Sequence, residues 1–292
     1  MHVIEDFAAT IGEGPLWSAR HQALFWIDTV NKKIMRTRAP FTAAESRDLP
    51  YKPSCLALLH DDRLLVGYKK GIGLFDFDSG EAEQLPLRGV SFEHQIFNDG
   101  ACDGAGRLWI GTRDRNVRDP VGALYSIGPD LVAREHVDGV VLSNGIAWSP
   151  DGRTMYHTES GGAGRIDAYD FDATRGTLSN RRIFIDYAGR GPGHGDGCTV
   201  DAEGYLWVAE VQGSRVARYA PDGRLDREIP MPVSRPTSVM FGGLDYTTLF
   251  VTSMRYGLSA DDIEAMPYAG MLFVLDAGLR GVPENPFRLA GT

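Results

Sequence analysis

A chain of 292 residues with 43% hydrophobic and 24% charged residues has apolar material for a continuous core and enough charge to stay in solution. Its formal net charge of −9 argues against a nucleic-acid partner, which needs clustered Lys and Arg, and no apolar run approaches membrane-spanning length. Three cysteines, Cys55, Cys102 and Cys198, without C-x-x-C spacing, argue against a disulfide framework or a structural zinc site; each is expected to be a small buried hydrophobe. No basic region followed by an apolar run opens the chain, so a cytoplasmic location is expected, with no protein partner implied. No linker-like stretch interrupts it, and a single domain over residues 1–292 is expected.

In chain order, residues Met1 to Ala9 alternate enough for a strand, expected to pair with Gly270-Met-Leu-Phe-Val-Leu275 and so complete the last unit of the fold. The segment Ile11-Gly-Glu-Gly-Pro-Leu-Trp17 brackets an acid with glycines. It leads into Ser18-Ala-Arg-His-Gln-Ala-Leu-Phe-Trp-Ile27, a turn followed by an apolar strand. The same phrase returns five times. It is weak at His60–Gly67, strong at Asp103-Gly-Ala-Gly-Arg-Leu-Trp-Ile-Gly-Thr112, and clear at Ser149–Thr158 and Asp201-Ala-Glu-Gly-Tyr-Leu-Trp-Val-Ala209. A last copy stands at Gly242–Val251. A period of roughly 40 to 50 residues is that of four-stranded propeller blades, so an all-β six-bladed β-propeller is expected, with the N-terminal strand closing the last blade. Between the copies, Asp76–Gly80 and Asp170–Gly176 resemble calcium loops only faintly and read as hairpin turns. The run Gly189–Gly197 reads as a mobile loop delivering Asp196. No nucleophile elbow and no phosphate-binding loop is present.

About a dozen positions before each strand centre, where a blade's innermost strand should begin, stand Glu13, Ser54, Asn98, Asn144, Asp196 and the pair Thr237-Ser238. All are polar. A propeller gathers its inner strands around one axis, so residues in the same phase converge in the channel. Carboxylates and amides meeting there are costly to bury without a positive charge among them, and an oxygen-lined cation site is the simplest answer.

The chain resembles the SMP-30/gluconolactonase/luciferin-regenerating-enzyme family. The resemblance covers almost all of the sequence and is carried by Gly12-Glu-Gly-Pro15, Phe97-Asn-Asp-Gly100, Ser143-Asn-Gly145, Gly176-Thr-Leu-Ser-Asn-Arg-Arg182, Asp196-Gly197, Ala202-Glu-Gly-Tyr-Leu-Trp207 and Phe241-Gly-Gly243. It implies a six-bladed propeller holding one divalent cation, with metal ligands at Glu13, Asn144 and Asp196. Ca²⁺ is the favoured ion, and Mn²⁺, Mg²⁺ and Zn²⁺ are alternatives. It implies hydrolysis of a small-molecule lactone, with Asp196 as catalytic base and Asn98 touching metal-bound water or substrate.

Two positions depart from the sugar lactonases of that family, which carry an arginine where this chain has Ile96 and a glutamate where it has Asn116. The substrate is then either less hydroxylated or gripped by Arg113, Arg115 or His94. Two rival readings stay open: a non-catalytic propeller that binds a cation, and a metal-dependent esterase acting on a non-sugar substrate.

Overall fold

The computed structural model of the protein describes residues 1–191 and 193–290. Strand β1 (His2–Ile4) is followed by four strands of a first sheet, β2 (Gly12–Ser18), β3 (Ala23–Asp28), β4 (Lys33–Arg38) and β5 (Ala44–Asp48). The second sheet holds β6 (Pro53–Leu58), β7 (Leu64–Tyr68), β8 (Gly71–Phe75) and β9 (Ala82–Gln84). The third holds β10 (Gln95–Cys102), β11 (Leu108–Asp114), β12 (Gly122–Ile127) and β13 (Ala133–Val140). The fourth holds β14 (Ser143–Trp148), β15 (Thr154–Glu159), β16 (Arg165–Asp172) and β17 (Thr177–Asp186), and the fifth β18 (His194–Val200), β19 (Leu206–Val211), β20 (Arg215–Tyr219) and β21 (Leu225–Pro230). The sixth combines β22 (Pro236–Gly242), β23 (Thr248–Ser253) and, after a short helix α1 (Ala260–Ala265), β24 (Leu272–Asp276) with β1 at its outer edge.

The six sheets are the blades of a β-propeller. Their inner strands β2, β6, β10, β14, β18 and β22 contact one another in a closed ring. The ring closes as expected: β1 pairs antiparallel with β24, His2 opposite Val274 and Ile4 opposite Leu272. Thr237 in β22 also donates its hydroxyl to the Gly12 carbonyl of β2 at 2.5 Å. No helix among the described residues is long and apolar enough to cross a membrane.

The repeated phrase has a physical reason in two blades. Asp103 accepts the Ala105 and Arg107 amides in its own turn, and its second oxygen accepts the Trp109 indole at 2.8 Å. Asp201 repeats this with the Glu203 and Tyr205 amides and the Trp207 indole, and adds the Arg218 guanidinium at 2.8 Å. One carboxylate thus closes a hairpin and anchors the tryptophan that packs against the next blade. The core itself lies between blades. In the described residues each of six hydrophobic clusters joins strands of two neighbouring sheets, such as Phe25 and Ile27 with Val66 and Phe75, or Trp207 with Phe241 and Phe273.

Two local readings meet the structure differently. Asp76 and Asp172 each accept two backbone amides within tight turns, as expected of hairpins. The run from Gly189, in contrast, does not stay a loop up to Asp196. His194–Gly197 already belongs to β18, held against β19 with His194 opposite Val211 and Gly195 opposite Glu210. The correction has a simple cause, since glycine lacks the side chain that marks a strand by alternation but pairs its backbone normally. Pro192 of that run lies outside the described residues.

Asp201→Ala is expected to cost about 2 to 4 kcal/mol of stability, because it leaves the Trp207 indole and the Arg218 Nε buried without their acceptor, although Glu203 and Asp226 still hold the rest of the guanidinium. Urea unfolding monitored by tryptophan fluorescence checks this. A loss below about 1 kcal/mol would remove the aspartate from its anchoring role.

Candidate metal centre in the channel

Pairing between the first and second strands slips near the start of every inner strand. The slips fall between Glu13 and Leu16, Pro53 and Cys55, Phe97 and Gly100, Ser143 and Ile146, Gly195 and Cys198, and Pro236 and Ser238. A bulge turns a side chain out of the ordinary alternation. Asn98, Asn144 and Asp196 sit inside these slips and Glu13 at the edge of one, which is what brings them to the axis. The adjoining glycines make the approach possible: a Cβ on Gly145 would lie 2.5 Å from the Asp196 carbonyl oxygen, and one on Gly197 would lie 2.1 Å from the Ser238 hydroxyl.

The amides are tied to each other. Asn98 donates to the Asn144 side-chain oxygen at 2.5 Å and to the Ser143 carbonyl at 2.9 Å, while Asn144 donates to the Ser160 hydroxyl, which donates to the Gly195 carbonyl. This chain links blades three, four and five. Burial holds Glu13 and Asp196 well above the usual carboxylate range. The charge of Asp196 adds to the effect on Glu13, and that of Asp99 to both. Asp99 itself is pushed up to about 6 by burial. Three carboxylates therefore face one channel with no Lys, Arg or His in ion-pair contact among the described residues. Asp99 was not singled out from sequence, because Asn-Asp-Gly reads as turn chemistry. The clue was its place one residue after Asn98 in an inner strand.

A second residue that sequence reasoning missed is Lys69, just past the end of β7. Its carbonyl accepts the Phe97 amide at 3.1 Å and its ammonium reaches the Asn98 side-chain oxygen at 3.5 Å. Burial first, and then the neighbouring Arg113, lower its pKa to about 8 against the pull of Glu13 and Asp99. No sequence signal marks it, since it lies 29 residues from Asn98 in the blade whose repeat is weakest.

The remaining predicted residues form a rim. Ile96 lies opposite Arg113 across the β10–β11 pair, and Arg113 donates to the carbonyls of Asp114 and Arg115. Arg115 is exposed and donates to the Phe92 carbonyl at 2.6 Å. Asn116 is exposed, its amide bound to Asp114, and His94 is exposed beside Glu93. None of these last three has a hydrogen bond to the amide pair. Ser54 is buried beside Cys55, and Thr237 is spent on blade closure. Cys55 and Cys102 are buried as expected, whereas Cys198 is half-buried; burial raises all three thiol pKa values, which disfavours the reactive thiolate.

The loops of this end are held by buried acids at the ends of second strands. Asp28 accepts the Thr10, Val30 and Asn31 amides, Asp114 those of Asn116 and Arg118, and Glu159 those of Leu142, Gly161 and Gly162. Glu210 accepts the Tyr187 and Tyr219 hydroxyls and the Arg215 guanidinium.

Past the carboxylates, along the later halves of the inner strands, lies a cavity of about 240 Å³ lined by Asp99, Cys102, Trp148, Cys198, Met240 and Glu284, among others. The C-terminal segment crosses this end, anchored by the Gly281 amide on Tyr246, the Phe287 amide on Leu58 and the Arg288 amide on Gly106. It carries Glu284 into the cavity, where burial pushes the carboxyl up to about 7. The titratable groups facing it are the thiols of Cys102 and Cys198 and the Tyr246 phenol.

Residues 11–255 match the model of the SMP-30/Gluconolactonase/LRE-like region. The chain belongs to that family. It is 33% identical over 283 residues to a 6-deoxy-6-sulfogluconolactonase of Pseudomonas putida, covering 96% of this chain and 95% of that protein. To an L-arabinolactonase of Azospirillum brasilense it is 34% identical over 297 residues, covering 99% and 95%. Among solved structures, a calcium-binding protein, regucalcin, from Agrobacterium tumefaciens superposes with a TM-score of 0.91 at 28% identity, covering 98% of this chain and 97% of that one.

Glu284→Gln is expected to raise the melting temperature, and by more at pH 8 than at pH 5. The folded-state pKa lies above the ordinary 4.5, so folding favours the protonated form and stability is lost as pH rises from about 4.5 through 7. Calorimetric scans of both proteins at the two pH values check this. An equal difference at both would mean that the buried carboxyl does not titrate as described.

Proposed function

We propose that the protein hydrolyses a small lactone, of the sugar-lactone kind, with the help of one divalent metal ion held in the channel. The observation that carries this reading is that Glu13, Asp99 and Asp196, close enough for their charges to act on one another, stand with the Asn98–Asn144 amide pair on the inner strands, and none of the three carboxylates has an ion-pair partner among the described residues. Among the described residues no three His, Cys, Asp or Glu side chains form a metal-binding group, and the donor set in this reading adds the Asn144 amide oxygen to the two carboxylates. Oxygen donors of mixed carboxylate and amide type fit a hard divalent ion, Ca²⁺ before Mn²⁺, Mg²⁺ or Zn²⁺. Glu13, Asn144 and Asp196 would hold it. When bound, such an ion polarises an ester carbonyl and acidifies a water molecule. The names of the two lactonase relatives and of the calcium-binding regucalcin support the same assignment.

The chain's own residues then have definite tasks. Asp196 accepts a proton from the attacking water as its oxygen bonds to the carbonyl carbon. The ring C–O bond breaks, and a proton passes to the departing ring oxygen, leaving a hydroxy acid. Asn98, held by Asn144 and the Ser143 carbonyl, presents a fixed amide to water or substrate. Gly145 and Gly197 let neighbouring inner strands approach closely, and those strands hold the groups rigidly, so little reorganisation accompanies the reaction.

Acid release by chelator-stripped protein with a panel of lactones, each divalent ion being added back in turn, is expected to reappear with one ion and one class of lactone. Silence across the panel, with the ion shown by calorimetry to bind, would favour a propeller that only binds its cation. Asp196→Asn is expected to lower kcat by at least about 100-fold, without loss of melting temperature in the metal-free protein because it relieves carboxylate repulsion. Glu13→Gln is expected to weaken ion binding by about tenfold or more. Unchanged affinity would exclude Glu13 as a ligand.

A further inference from the structure

Several buried or half-buried arginines in this protein are matched with carboxylates. Arg36 lies between Glu45 and Asp78, Arg215 between Glu210 and Glu228, and Arg218 among Asp201, Glu203 and Asp226. Arg47, Arg235 and Arg255, also half-buried, rest on backbone carbonyls instead. Lys69 and Arg113 likewise lack a carboxylate. Both are partly buried, yet among the described residues neither has a carboxylate within 4.0 Å. Lys69 touches only the neutral Asn98 amide oxygen, at 3.5 Å, and Arg113 donates through one nitrogen to two backbone carbonyls. The two cations are near enough for Arg113 to depress the Lys69 ammonium. Like charges left together in a partly desolvated place are unfavourable, and an anion between them would reverse the sign of the interaction.

Lys69 is held beside β10 by the Phe97 amide on its carbonyl, and Arg113 lies in β11, the strand paired with β10. The charges of Arg113, Glu13 and Asp99 act on Lys69, and those of Asp114 and the Tyr256 phenol on Arg113. Tyr256 is exposed on the loop after β23, whose Tyr256 and Gly257 carbonyls accept the Arg235 guanidinium. Ile96 stands opposite Arg113 in the β10–β11 pair and precedes Phe97, whose amide binds the Lys69 carbonyl.

We propose that Lys69 and Arg113 form a subsite for an oxyanion carried by the substrate away from its reacting ester, a carboxylate, sulfonate or phosphate, so that the preferred lactone is an acidic one. This rests on the lactone-hydrolase reading for the reaction, but the subsite itself is a binding property that can be measured without turnover. Ile96 adds no competing charge, and a fixed guanidinium with a mobile ammonium suits an oxyanion of either planar or tetrahedral shape.

The matched pair glucono-1,4-lactone and glucaro-1,4-lactone differs by one carboxylate and tests this directly. The metal-loaded protein is expected to show kcat/KM about tenfold or more higher for the acidic lactone, and 0.5 M NaCl should shrink that ratio. Lys69→Met is expected to cut the ratio at least about tenfold and Lys69→Arg to keep most of it. Equal handling of the two lactones by the unaltered protein would overturn the proposal. So would a Lys69→Met variant that slows both alike, which would make Lys69 a positioning residue for Asn98. Calorimetry with gluconate, glucarate and gluconate 6-phosphate decides the subsite if neither lactone is turned over. Tighter binding of glucarate or the phosphate than of gluconate, lost in Lys69→Met, supports it and names the preferred oxyanion. Indifference to the extra charge refutes it, while absent turnover alone counts only against the lactonase reading.

Discussion

Six inner strands crowd one axis, and the slip of pairing near the start of each decides what they show to it. Without the slips, alternation would send successive side chains to the two faces of each blade, into the clusters that glue blades together. With them, Asn98, Asn144 and Asp196 leave that alternation and turn along the axis, joined by Glu13. The glycines at 145 and 197 are required in the same places, since any side chain there would strike the next strand. Chemistry and closure of the ring thus depend on the same few residues, and neither is adjustable alone.

The fold was legible because its repeat has a mechanical cause that leaves a mark in sequence. An aspartate that must cap a hairpin and also receive a tryptophan indole has to stand six residues before it, as Asp103 does before Trp109 and Asp201 before Trp207. The polar residues at the inner-strand starts were legible for a similar reason, through their shared phase. Where that reasoning ran out, the cause was geometric. Lys69 comes to Asn98 from the end of a different strand in the next blade, and nothing in a linear pattern connects positions 69 and 98. Glu284 enters from a terminal segment that belongs to no repeat. Asp99 was hidden in plain turn chemistry.

The rim shows how a substituted position is read in three dimensions. From the sequence, Ile96 and Asn116 look like losses. In the structure, Ile96 faces Arg113 and sits beside the strand end that carries Lys69, while Asn116 stands exposed on a loop governed by Asp114. Positive charge has not left this side of the mouth. It comes from β11 and from the end of β7 rather than from position 96, and the group it would meet on a ligand changes accordingly.

The closure of blade six has a consequence for the order of events in the life of the chain. Glu13 is emitted early from the ribosome, yet its strand is tied to the last blade: Thr237 binds the Gly12 carbonyl, the Thr10 carbonyl receives the Arg255 and Tyr256 amides, and Ile11 bridges to Met254. A nascent chain lacking its final fifty residues would keep Thr237 but not β23 and β24, so the ties from Met254, Arg255 and Tyr256 to the first blade could not yet form. An ion held as proposed, binding the closed ring and not the open one, would act as a clasp, favouring the finished circle over every partial one by mass action.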